Sequence, residues 1–255
     1  MDPRQRLIVA LDVSTAAAAR KIVAAVGDSA VTYKVGMQLY TREGPAIVRE
    51  LIDSGHRVFL DLKYHDIPTT VGAAVREAAQ LDVSMLTVHA SGGGKMLQAA
   101  VDAARATKPD LLVLAVTVLT SLDDVELGKI GLREGVVDQV LRLAALAFSH
   151  GYKGVVASAR EAAALREEFG QDFAIVTPGV RLAGSGHDDQ ARVVTPAEAI
   201  AAGASHIVVG RPITEASDPA AEARAILGQL GTGEFSVPGS QFSEKVKGAN
   251  AAPIL

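Results

Sequence analysis

The sequence predicts an α/β fold, a single (β/α)8 TIM barrel. Three observations predict it. Short Val/Ile/Leu-rich runs alternate with longer Ala-rich, helix-prone segments. The runs carry little polar content, as parallel strands covered on both faces do. Run after run ends in a chemically useful side chain or a glycine. A closed barrel gathers such ends around one mouth, whereas an open doubly wound sheet strings them along an edge.

The candidate strands are 6–11, 31–35, 57–62, 84–89, 111–118, 154–157, 173–177 and 206–209. Between them, apolar residues recur at helical spacing over 15–26, 43–54, 70–81, 95–106, 135–150, 159–169 and 195–202. Thr195-Pro196-Ala197-Glu198 carries an N-cap threonine, Pro at the first helical position and Glu three residues on. Asp218-Pro219 opens a final helix to about 230 in the same way. The strand ends supply Asp12, Lys34, Asp61 with Lys63, His89, Thr117 with Thr120, Ser158, Arg181 beyond Pro178-Gly179, and Gly210-Arg211.

The 255 residues suit one such barrel, taken as a catalytic domain over 1–230. Residues 231–255 are Gly/Ser/Pro-rich without periodicity and read as a C-terminal extension, mobile or surface-docked. A net charge of −4 argues against nucleic-acid or membrane partners chosen by bulk electrostatics. The chain has no cysteine, which excludes disulfides and thiolate metal sites and fits a reducing compartment. The polar N-terminus, 1–6, runs straight into a strand and does not resemble a signal peptide. No apolar stretch approaches the roughly 20 residues that span a bilayer. A cytoplasmic protein is the expectation.

Asp61-Leu62-Lys63-Tyr64-His65-Asp66 follows the apolar run Val58-Phe59-Leu60. Strand alternation would project Asp61 and Lys63 together where a core meets a loop. Charges there cost free energy unless they pair. A salt-bridged strand end is one reading. The other is a charged site that also takes in Lys34 and Asp66, in which each charge favours its neighbour's charged form. A lysine held protonated cannot be a Schiff-base nucleophile. It can stabilise a carbanion and then protonate it, which points to decarboxylation or proton transfer at carbon.

Thr177-Pro178-Gly179-Val180-Arg181 and Val208-Val209-Gly210-Arg211-Pro212 end strands seven and eight, the usual phosphate position of such barrels. Glycine admits a phosphate to the backbone N–H, and arginine grips it with a two-pronged donor face. The small, polar stretch 182–190, ending in Gln190, has the composition of a lid. Ser91-Gly92-Gly93-Gly94-Lys95 lacks Walker spacing and reads as a tight turn needing positive φ. His89 is expected to be a buried, hydrogen-bonded structural histidine. No His, Asp and Glu cluster has metal-ligand spacing, so no metal is expected.

Together these segments resemble the orotidine 5′-phosphate decarboxylase family. The resemblance rests on 61–71, Asp-Leu-Lys-Tyr-His-Asp-Ile-Pro-Thr-Thr-Val, and on six further motifs in the same order. They are Ala10-Leu11-Asp12, Tyr33-Lys34-Val35-Gly36, Thr87-Val88-His89-Ala90, Val116-Thr117-Val118-Leu119-Thr120-Ser121, Thr177 to Arg181 and Val209 to Pro212. It implies cofactor-free decarboxylation of orotidine 5′-phosphate to uridine 5′-phosphate (UMP), the last step of de novo UMP synthesis. Lys63 would protonate C6, and Asp61 would face the leaving carboxylate. Lys34 and Asp12 would contact the ribose, and Thr120 the pyrimidine. Gln190, Gly210 and Arg211 would hold the phosphate, with Arg181 nearby. Asp66 and Thr70 would enter the neighbouring site of a homodimer.

Two other readings stand beside this one. Keto-sugar-phosphate decarboxylases and aldolases of the same suprafamily share the Asp-x-Lys-x-x-Asp core but use Mg²⁺, with an acid where this chain has Lys34. A lysine there would repel the cation. A catalytically inactive phosphate-binding barrel would be free to lose Lys63 or Asp61, yet both are present.

Overall fold

A computed structural model describes residues 2–182 and 194–231. Eight parallel strands run β1 (Leu7–Ala10), β2 (Thr32–Gly36), β3 (Arg57–Tyr64), β4 (Met85–His89), β5 (Leu112–Val116), β6 (Gly154–Val156), β7 (Ala174–Thr177) and β8 (His206–Val209). They form a closed barrel in sequence order. Closure is made by β8 on β1, with Leu7 opposite Ile207, Ile8 opposite Val208 and Val9 opposite Val209. All eight predicted strands are present. No helix among the described residues is long and apolar enough to cross a membrane.

Strand alternation divides the apolar side chains into two cores. Ile8, Ala10, Phe59, Met85, Leu114, Val176 and Val208 fill the barrel interior. Their strand neighbours Leu7, Val9, Val58, Leu60, Leu86, Ile175 and Ile207 face outward into the layer beneath the helices. Strands buried on both faces must be apolar throughout, which explains the continuous runs in the sequence.

The helix termini follow local chemistry. Thr195 and Glu198 form the predicted capping box ahead of Pro196–Ala201. Asp218 accepts from the Ala221 N–H at 2.9 Å and caps Pro219–Gln229. Gly93, at φ +82°, makes the expected turn into helix Gly94–Thr107.

Several short helices were not anticipated. Pro3–Arg6 precedes β1, capped by Asp2, so the N-terminus does not pass directly into the strand. Met37–Glu43 precedes Pro45–Asp53, where the sequence suggested one helix over 43–54. Proline disfavours helical backbone in the residue before it, so the chain breaks at Gly44. Asp124–Lys129 and Arg211–Thr214 are short elements in loops after β5 and β8.

Candidate active site

The barrel register fixes which side chains meet. Ala10 pairs with Lys34, Lys34 with Phe59, and Phe59 with Met85. Paired residues of a parallel ladder share a face, and Ala10, Phe59 and Met85 point inward. Lys34 therefore rises from the interior. Asp12 and Asp61, two residues beyond Ala10 and Phe59, stand at the same mouth.

There they form one continuous charged chain. The Lys34 ammonium lies 2.7 Å from Asp12 Oδ1 and 3.6 Å from Asp61 Oδ2. The Lys63 ammonium lies 2.9 Å from both Asp61 oxygens. The Lys34 and Asp61 side chains are only 11% and 12% exposed, whereas Asp12 is 57% exposed. Two cations alternate with two anions, so each inner charge has a partner on either side.

Asp61 and Lys63 meet as expected, but not by regular alternation. The β3–β4 ladder passes from Leu60 opposite Leu86 to Tyr64 opposite Val88, so β3 bulges by extra residues. Within the bulge Lys63 adopts φ +52°. Left-handed backbone is costly for a residue with a Cβ and persists where the surroundings enforce it.

These charges border a cavity of about 500 Å³. Its floor is apolar, from Ala10, Phe59 and Val208, and Val118, Leu119 and Pro178 line its wall. Thr120, Arg181, Gly210 and Arg211 join the lining. Arg181 is buried, whereas Arg211 opens the short helix after β8 and is exposed. A charged pair thus stands beside an apolar chamber, with two arginines entering from β7 and β8.

Other anticipated residues lie elsewhere. Asp66 and Thr70 are exposed on the β3 loop and its helix, outside the cavity lining. Asp66 Oδ1 accepts from the Ile67 N–H at 2.6 Å. Within one chain, the carboxylate that pairs with the outer side of Lys34 is Asp12. Thr117 donates to the Val156 carbonyl at 3.0 Å, and Ser158 caps helix Ala159–Phe169 with Glu161. Both hydroxyls serve the scaffold. Gln190 and most of the lid stretch lie outside the described residues.

His89 departs from expectation. It is half-buried and its ring, among the described residues, makes no hydrogen bond; the ring tilts against His65 at 5.4 Å. Burial lowers its pKa, helped by His65 and Lys63. No group of three or more potential ligands among the described residues could hold a metal ion.

The profile of the "Orotidine 5′-phosphate decarboxylase / HUMPS family" matches residues 5–226. The chain belongs to this family. It is 51% identical over 236 residues to the orotidine 5′-phosphate decarboxylase of Moorella thermoacetica, covering 90% of this chain and 94% of that one. It is 52% identical over 225 residues to the enzyme of that name from Halorhodospira halophila, covering 88% and 95%. The crystal structure of orotidine 5′-phosphate decarboxylase from Lactobacillus acidophilus superposes with a TM-score of 0.79 at 41% identity, covering 88% of this chain and 98% of that one.

Two residues of this family member's mouth escaped the sequence reading of its site. Thr87 Oγ1 accepts from the Lys63 N–H at 2.9 Å and donates to Asp61 Oδ1 at 3.0 Å. Gly36 leaves room for the Lys34–Asp12 pair, since a Cβ there would lie 3.0 Å from Asp12 Oδ1 and from Lys34 Nζ. Signals existed for both. Thr87 is a polar residue in an otherwise apolar strand, and Gly36 follows Lys34 by two.

Proposed function

We propose that this chain decarboxylates orotidine 5′-phosphate to UMP and CO₂ without a cofactor, through a C6 carbanion that Lys63 stabilises and protonates. The observation that carries the reading is the Asp12–Lys34–Asp61–Lys63 chain, held by 2.7, 3.6 and 2.9 Å ion pairs beside an apolar cavity.

The chemistry asks for fixed charge. Breaking the C6–carboxylate bond releases CO₂ and leaves its electron pair on C6, in the ring plane. The ring carbonyls cannot delocalise that pair. The Lys63 ammonium would stabilise it electrostatically and then transfer a proton, and solvent would reprotonate the amine. Such stabilisation is strongest where donors are pre-positioned and water is excluded. Lys63 meets the first condition through its two contacts with Asp61. Asp61 would face the departing carboxylate, Lys34 and Asp12 the ribose, and Thr120 the pyrimidine. Arg181, Gly210, Arg211 and Gln190 would take the phosphate. Binding there, away from C6, can supply energy that organises the charged groups.

Asp66 and Thr70 would complete the site of a second copy in a homodimer. Both are exposed here, beside Ile67 at 63% exposure. We assign the catalytic domain to 1–230 and the extension to 231–255. Support for the boundary comes from Leu230, which is buried and whose carbonyl accepts from Arg6 Nη1 at 3.3 Å.

The Mg²⁺-dependent alternative is disfavoured by Lys34, whose ammonium occupies the place between Asp12 and Asp61 that a cation would need. The deciding experiment is orotidine 5′-phosphate consumption after exhaustive EDTA treatment. Loss of the orotate absorbance with UMP appearing supports the proposal. No turnover, with keto-sugar-phosphate activity restored by Mg²⁺, would replace it with the sister chemistry. Inactivity on both would leave a binding protein.

A further inference from the structure

We infer that Thr87 is a positioning residue whose hydroxyl locks the Asp61–Lys63 pair into its working geometry. The inference deepens the decarboxylase reading and rests on it.

Thr87 lies on β4 between Leu86, which pairs with Leu60, and Val88, which pairs with Tyr64. It therefore faces the gap where β3 bulges. Its side chain points into the barrel and the residue is 0% exposed. Across the gap the Lys63 N–H donates to Thr87 Oγ1 at 2.9 Å. The Thr87 hydroxyl in turn donates to Asp61 Oδ1 at 3.0 Å. That same oxygen receives the Lys63 ammonium at 2.9 Å.

The directions are fixed by chemistry. A backbone N–H only donates and a carboxylate only accepts, so the hydroxyl must accept from Lys63 and donate to Asp61. The result is a closed ring: Lys63 N–H, Thr87 hydroxyl, Asp61 carboxylate, Lys63 ammonium. One hydroxyl thus fixes both ends of Lys63, its backbone directly and its ammonium through Asp61. Hydrogen bonds in such a chain polarise one another and strengthen together. Without the hydroxyl, a bulged N–H at the barrel's inner face loses its acceptor, and Asp61 loses a donor. The left-handed Lys63 at φ +52° then loses one of the contacts that enforce it. Valine would fill the same space and do none of this.

The test compares Thr87→Val with Thr87→Ser. The Val variant should lose about 10- to 100-fold in kcat on orotidine 5′-phosphate, as expected when a charged group is misplaced. Its KM, and inhibition by UMP, which carries no carboxylate at C6, should stay within about three-fold of wild type. The Ser variant should keep kcat within about three-fold. Amide exchange at Lys63 should be faster in Thr87→Val than in Thr87→Ser. A Val variant with wild-type kcat overturns the inference. So does a Ser variant that falls as far as Val, because the methyl would then be the active feature. Parallel losses in UMP binding and thermal stability would instead show ordinary packing.

If Thr87→Val does not fold, Thr87→Cys takes its place. A thiol is a weak donor, so kcat of the Cys variant must fall well below that of Ser; equality overturns the inference. If the wild-type protein leaves orotidine 5′-phosphate untouched, the decarboxylase reading fails on its own. The positioning role is then decided by Lys63 amide exchange alone, and equal rates in the Val and Ser variants would overturn it.

Discussion

Adding one methyl group at Gly36 should disable the site while leaving the fold intact. Gly36 sits at φ −95° and ψ −178°, extended backbone that alanine adopts freely. Gly36→Ala therefore introduces no backbone strain, and a restricted unfolded chain would favour it by about 0.4–1 kcal/mol. The new Cβ would stand 3.0 Å from Asp12 Oδ1 and from Lys34 Nζ, inside ordinary contact at 3.4–4 Å. Lys34 is hemmed in at 11% exposure, whereas Asp12 is 57% exposed and can swing into solvent. The pair should open on the Asp12 side. An ion pair with one end so exposed contributes at most about 1 kcal/mol to stability. Gain and loss offset, so the unfolding free energy should move by less than about 1 kcal/mol. Activity should not be spared, because both groups are assigned to the substrate. A loss of about 1.4–2.8 kcal/mol in transition-state stabilisation lowers kcat/KM about 10- to 100-fold. The assay follows orotate absorbance beside thermal denaturation. Gly128→Ala, where a Cβ meets nothing within 4 Å, is the control and should keep full activity. Wild-type kcat/KM in Gly36→Ala would refute the placement of the Lys34–Asp12 pair in the site. A stability loss beyond about 2 kcal/mol would show that the glycine serves packing instead.

Other perturbations test other parts. Lys63→Ala should cost several kcal/mol of transition-state stabilisation, read as a fall of at least about 10³-fold in kcat with substrate binding far less affected. Near-wild-type turnover would remove Lys63 from the chemistry. Mixing Asp66→Ala with Lys63→Ala subunits should restore activity at one of the two sites of a hybrid dimer. Hybrids that form and stay inactive would argue against a shared site. His206, at the start of β8, is buried, and burial pushes its imidazole from 6.5 down to about 4. Between those values the unfolded chain binds a proton that the native state does not. Stability should therefore fall as pH drops from about 6.5 to about 4, by at most about 3 kcal/mol from this group, and level off below. Denaturation midpoints of His206→Gln should be flatter across that window; an unchanged slope would reject the assignment.

Much of the candidate site was legible because its charged residues sit at strand ends, where a charge after an apolar run stands out. Asp12, Lys34, Asp61 and Lys63 were visible for that reason, and the structure joins them in one chain. Thr87 was harder to find. A threonine in a strand is ordinary, and only the gap opposite it gives the hydroxyl two partners. Gly36 was hidden in the same way, since its value is the space it leaves for a neighbouring strand's side chain. Thr117 and Ser158 looked equally useful in sequence, but backbone groups engage their hydroxyls in the scaffold, the Val156 carbonyl for Thr117 and the Arg160 N–H for Ser158.

Strand–helix alternation is written in the local sequence, because apolar runs and cap residues act over a few neighbours. So is the placing of charge at strand ends. Tertiary structure decided closure, through the β8–β1 ladder between residues about two hundred positions apart. Within one chain it brought Asp12 to Lys34 and left Asp66 exposed. It also decided how Lys63 reaches Asp61, through a bulge and a left-handed residue that regular alternation does not contain. Local preference encodes the elements, but a site is set by register between strands, and register depends on the whole barrel closing.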